Sequence, residues 1–80
     1  MVRKAYVLLK VKAGMERNVV NNLKAFNEVV EINELYGEWD IILKVEVERF
    51  EEMDMLLTEK IRTVSGVEDT STMIVAEYIR

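Results

Sequence analysis

The sequence predicts an α+β domain of βαββαβ order, a four-stranded antiparallel sheet with two helices on one face. Three observations lead there. Four short segments place apolar residues at alternate positions, two others place them at three- and four-residue spacing, and Gly14, Gly37 and Gly66 punctuate the series. At 80 residues the chain is expected to be one domain, residues 1–80, with no room for a second core. A domain of this size hides only roughly 60–65% of the surface of its unfolded chain. Without cysteine there is no disulfide to add, so oligomerisation is the expected source of further stability.

Residues 3–12 read as the first strand, with Ala5, Val7, Leu9 and Val11 on one side and Tyr6 and Leu8 on the other. Gly14 breaks it. Over residues 15–26, Met15, Val19, Leu23 and Phe26 form one helical stripe, with Glu16, Arg17, Asn18 and Lys24 outward. Residues 28–36 and 39–47 are strand-like and are separated by Gly37 and Glu38, which predicts a hairpin with a tight glycine turn. Phe50, Met53, Leu57, Ile61 and Val64 form a second helical stripe that Leu56 widens. Its acidic residues come early and its basic ones late, as the helix dipole favours, and Gly66 closes it. Residues 67–79, rich in Thr, Val and Ile, supply the last strand.

This order is the ferredoxin-like one. A weak internal echo fits it: LLKV at 8–11 recurs as ILKV at 42–45, as expected of two equivalent strands at the sheet centre. Helices on one face leave the other uncovered. The alternate positions Tyr6 and Leu8, and the two mixed faces of the last strand, predict an apolar patch there and hence self-association through the sheet.

Composition narrows the chemistry. With no Cys and no His there is no thiolate nucleophile, imidazole base or nitrogen or sulfur metal site, so no catalytic residue, metal or cofactor is expected. Carboxylate pairs such as Glu51 and Glu52 fall on a solvated helix face. A net charge of −4 repels a polyphosphate backbone and argues against direct nucleic-acid binding. Arg3, Lys4, Lys10 and Lys12 read as solvated strand ends. An RNA-recognition sheet would need exposed aromatics and bases where Leu8 and Leu43 stand. No apolar run approaches membrane-spanning length, and Lys10 and Lys12 interrupt the early apolar segment, so a cytoplasmic location is expected.

Two segments, YGEWDIILKV (36–45) and VSGVEDTSTMIV (64–75), resemble the Lrp/AsnC family of transcription regulators. In that family a helix-turn-helix half precedes a βαββαβ effector module, the RAM domain. The module carries a Gly-x-x-Asp turn, here Gly37 and Asp40, and a Gly-Val-x-x-Thr-x-Thr segment, here Gly66, Val67, Thr70 and Thr72. Met1 leads directly into the first strand, so the resemblance implies a stand-alone RAM module. It further implies dimers packed sheet to sheet that assemble into larger rings, a small-molecule effector such as an amino acid bound between dimers, and a full-length Lrp/AsnC regulator as a partner. ACT-like amino-acid sensors share the strand order. The alternative of another class is an oligomeric enzyme or accessory protein of the dimeric α/β-barrel type.

An amino acid is a zwitterion and needs an anion for its ammonium and donors for its carboxylate. Asp40 offers the first, and Thr70, Ser71 and Thr72 offer the second. Gly37 could bring backbone amides close to the ligand, and Tyr36 and Trp39 could wall its side-chain pocket. The same residues admit another account: Asp40 supports its own turn, Gly37 supplies a positive φ, the Thr run is β-propensity, and Trp39 is core or interface.

Overall fold

The computed structural model describes residues 2–80, so the expectation attached to Met1 lies outside the described residues. The elements follow the predicted order: β1 (Arg3–Val11), α1 (Glu16–Leu23), β2 (Val29–Glu34), β3 (Ile41–Val47), α2 (Phe50–Met55) with a π-helical continuation (Leu56–Ile61), and β4 (Val67–Ile74). The strands form one antiparallel sheet in the order β2-β3-β1-β4. The two strands that carry the LLKV and ILKV echo therefore lie side by side at the centre, with Leu8 opposite Ile42 and Val7 opposite Leu43.

Alternation sorts the central strands into two faces. Ala5, Val7, Leu9 and Val11 of β1 and Ile41, Leu43, Val45 and Val47 of β3 are buried, joined by Val19 and Leu23 of α1 and by Met53, Leu56, Ile61 and Val64. These make one contiguous cluster under the helices. The stripe of α1 is as predicted, though the regular helix ends at Leu23 and Phe26 packs from the turn beyond it.

The second helix departs from a simple α stripe. Its first turn is closed by the Glu52 carboxylate, which accepts the Arg49 amide at 2.9 Å in half of a capping box. Beyond Met55 the chain widens into the π-helical stretch. Its wide turn points both Leu56 and Ile61 at the sheet and leaves Leu57 half-buried, while Phe50, the first residue of the helix, is 54% exposed. The expected place of Phe50 in the stripe is thus corrected.

Two strand boundaries are corrected as well. The β2–β3 connection is no tight two-residue turn; it spans residues 35–40, held where the Leu35 amide donates to the Asp40 carbonyl at 2.9 Å. The last strand ends at Ile74 rather than at 79. One more ladder bond follows, from the Val75 amide to the Lys4 carbonyl at 2.9 Å, and the chain then bends at Ala76. β1 begins at Arg3, so β-propensity beyond Val75 has almost no partner strand left to pair with.

Gly66 fixes how the layers meet. Its φ is +104°, and a Cβ there would stand 2.7 Å from Met15 Cβ and 2.9 Å from Val19 Cγ2. Its carbonyl accepts the Lys12 amide at 2.8 Å, so α1, β1 and the entry to β4 converge on a residue without a side chain. Among the described residues no helix is long and apolar enough to cross a membrane.

Candidate functional site

Asp40 stands at the end of β1, for a reason rooted in backbone hydrogen bonding. Ile41 is the last β3 residue opposite β1, facing Leu9. The Asp40 amide still donates to the Leu9 carbonyl at 2.9 Å, but the next β1 donor on that side, the Val11 amide, finds no strand carbonyl. It donates instead to Asp40 Oδ2 at 2.8 Å. A side-chain carboxylate thus stands in for the missing strand group, satisfies an amide that would otherwise be stranded, and lets the chain peel away into the 35–40 loop. Through its carboxylate Asp40 supports the neighbouring strand, while its carbonyl closes its own loop at the Leu35 amide. The carboxylate keeps further lone pairs beyond the one this bond uses.

On the other side of β1, Thr70 lies opposite Leu9, Ser71 opposite Leu8 and Thr72 opposite Val7. Asp40 and Thr70 therefore both neighbour Leu9 from opposite sides, roughly 10 Å apart by strand spacing. The three hydroxyls do not share a face. Thr70 and Thr72 stand on the helix side with Leu9 and Val7, at the sheet edge, whereas Ser71 stands on the open side with Leu8. Thr70 also lines a shallow cleft of about 180 Å³ with Arg62, Val67, Glu68 and Asp69.

The loop residues part company. Gly37 takes φ +134°, and a Cβ there would meet nothing within 4 Å. Tyr36 is fully exposed at the loop tip and is no part of the core. Trp39 is half-buried beneath Lys10, whose Nζ lies 5.2 Å from its ring centroid and 3.6 Å from Glu38 Oε2. Lys10, expected to be a solvated strand end, instead makes both of these contacts. Its signal was parity, since it follows Tyr6 and Leu8 on the uncovered face and precedes the register shift between Lys10 and Val11.

That face carries Tyr6, Leu8, Ile42 and Met73 at its centre by the same pairing. Around them stand Lys4, Lys10 and Lys44 with Glu31, Glu46 and Asp69, so the rim is balanced in charge. Tyr6 is 37% and Met73 47% exposed.

Residues 4–79 match the family model of the Lrp/AsnC ligand binding domain. The HTH-type transcriptional regulator FL11 of Pyrococcus horikoshii is 41% identical over 71 residues, 89% of this chain and 46% of that protein. The regulatory protein AsnC of Haemophilus influenzae is 32% identical over 68 residues, 85% of this chain and 45% of that one. The chain thus spans about half the length of the curated relatives it matches. Against the crystal structure of FFRP-DM1 the TM-score is 0.88 at 42% identity, covering 91% of this chain and 97% of that one. A Neisseria meningitidis transcriptional regulator, NMB0573, solved in complex with L-Met, shares the fold with a TM-score of 0.90 at 16% identity, over 98% of this chain and 52% of its own. The motifs at Gly37 and Asp40 and at Gly66 to Thr72, the βαββαβ sheet and these matches agree: the chain belongs to the Lrp/AsnC family as its ligand-binding, or RAM, domain.

Proposed function

We propose that residues 1–80 act as one effector-sensing and assembly module in the cytoplasm, which binds an amino acid and modulates Lrp/AsnC-type transcription regulation together with a full-length regulator. The observation that carries this reading is the placement of Asp40, at the end of the 35–40 loop, and Thr70 of β4 on the two sides of Leu9. In it the Asp40 carboxylate faces the effector's ammonium, the Thr70, Ser71 and Thr72 segment faces its carboxylate, and Gly37, Tyr36 and Trp39 border its side chain. A span of roughly 10 Å is long for one amino acid to bridge within one protomer, which favours a site completed by a second copy. The L-Met bound by the Neisseria relative supports the ligand class.

Assembly is expected to use the open sheet face. Its apolar centre suits burial, and its balanced rim suits an isologous contact in which each patch meets a copy of itself. Light scattering is expected to give a dimer or a multiple of dimers, and Leu8→Lys to dissociate it. A 9.4 kDa particle at micromolar concentration would overturn the assembly reading.

The effector site is tested by screening the twenty amino acids for a thermal shift, followed by calorimetry on the best binder. Asp40→Asn is the informative variant, because the amide oxygen can still accept from Val11 while the charge is gone. Affinity is expected to fall at least about 30-fold, the loss typical of removing one partner of a desolvated charge contact, with the melting temperature nearly unchanged. Unaltered affinity in folded Asp40→Asn would remove Asp40 from the site.

A further inference from the structure

We infer that Lys10 is a positioning residue for the effector site, pinning the 35–40 loop against the sheet through Trp39 and Glu38. This rests on the effector site proposed above and adds the residue that holds its aromatic wall in place.

The ends of the loop are secured by hydrogen bonds: Leu35 donates to the Asp40 carbonyl, the Asp40 amide donates to the Leu9 carbonyl, and the Asp40 carboxylate accepts from the Val11 amide. Residues 36–39 in between include Gly37 at φ +134° and an exposed Tyr36. Two side-chain contacts from this stretch, one from Trp39 and one from Glu38, meet on a single ammonium group of the sheet. Lys10 Nζ stands 5.2 Å from the Trp39 ring centroid and 3.6 Å from Glu38 Oε2. The aromatic face attracts the cation and the carboxylate partly neutralises it, so the two contacts orient the same group from two sides.

Lys10 is placed to do this by the sheet. It shares the open face with Leu8, opposite Asp69 of β4, and the register shift directly follows it. Each contact is weak by itself, because Lys10 and Glu38 are 38% and 73% exposed in their side chains. That weakness suits a wall that has to hold one position yet yield when a ligand enters.

Trp39 is the sole tryptophan of the chain, so its fluorescence reads the loop directly. The first arm needs no effector: acrylamide quenching of Trp39 in the wild type, Lys10→Met and Lys10→Arg. Quenching is expected to rise in Lys10→Met, which has a stem of similar length but no cation, and to stay at the wild-type level in Lys10→Arg. Equal quenching in all three would overturn the pinning.

The second arm is calorimetry with whichever of the twenty amino acids binds the wild type. Affinity is expected to fall about 5-fold in Lys10→Met and to recover in Lys10→Arg, the combined size of an exposed cation–π contact and an exposed ion pair. Changed quenching with unchanged affinity would overturn the positioning role and leave the effector site standing. Binding of no amino acid to the wild type would sink the effector reading, and with it the positioning role, whatever the quenching shows.

Discussion

Gly66 and Gly37 border the same end of β1, one packed against α1 and the other open to solvent. Both have positive φ, +104° and +134°. At Gly66 the backbone approaches Met15 and Val19 so closely that a Cβ would stand 2.7 Å from the first. At Gly37 a Cβ would meet nothing within 4 Å. Glycine is therefore required for space and conformation at one turn and for conformation alone at the other. The difference separates the two family motifs: the Gly66 turn joins the layers, whereas the Gly37 turn stands open on the surface.

The largest effect should come from filling the packed turn. Gly66→Ala has to push a methyl group into the Met15 side chain and also hold a left-handed backbone. Overpacking typically costs about 1–3 kcal/mol and the conformation about 1–2 kcal/mol. A total of about 3 kcal/mol would lower the melting temperature on the order of 15 °C in a domain of this size. Removing the obstacle should restore part of the loss, so Met15→Gly, which deletes the Cβ that the new methyl group would meet, combined with Gly66→Ala is expected to be less destabilised than the two single losses summed. Strict additivity in differential scanning calorimetry would show that space is not what Gly66 provides.

Gly37→Ala should show only the conformational part, about 1–2 kcal/mol, with no rescue by trimming neighbours, because no neighbour is in reach. A loss as large as that of Gly66→Ala would mean that the 35–40 loop is packed in solution by something beyond this protomer, such as a second copy. Measuring Gly37→Ala above and below the assembly concentration would tell the two apart.

The same contrast explains how much could be read from the residues in order. The central strands were legible because Ala5, Val7, Leu9 and Val11, and Ile41, Leu43, Val45 and Val47, alternate without a break and are buried as read. The first helix followed from Val19 and Leu23. The π-helical widening was not legible, since adjacent Leu56 and Leu57 satisfy either period and tertiary packing chooses between them. The hairpin was misread because the bond that shapes it joins Val11 to Asp40 across 29 residues. Local turn chemistry at Gly37 and Glu38 carries no sign of a carboxylate needed elsewhere. For the site, the motifs brought forward Asp40 and the Thr70, Ser71 and Thr72 segment, yet the flanking of Leu9 by Asp40 and Thr70, the split of the three hydroxyls between two faces and the closeness of Lys10 to Trp39 depend on strand register.

A smaller effect probes the packed side by charge rather than volume. Glu28, at the entry to β2, accepts a hydrogen bond from Lys60 Nζ at 2.9 Å, tying that strand to the π-helical stretch. This hydrogen bond, and after it one from its own backbone, holds the Glu28 carboxyl below its usual 4.5; burial opposes them, and the Lys60 charge adds the least. Because the folded state holds this proton less tightly than the unfolded chain, the pair contributes its full stability above the ordinary carboxylate range. That contribution is lost as the pH falls through the lowered value of the folded state. The side chains of Glu28 and Lys60 are 26% and 40% exposed, so water and salt screen the pair. Its worth is expected to be about 0.5 kcal/mol, far below the cost at Gly66. Glu28→Gln should therefore lower the melting temperature by a few degrees, roughly 2–4 °C, at neutral pH and low salt. The gap to wild type should narrow as either acid or salt is added. A gap of constant size down through the carboxylate range would show that the neutral hydrogen bond, and not the charge, joins β2 to the helix.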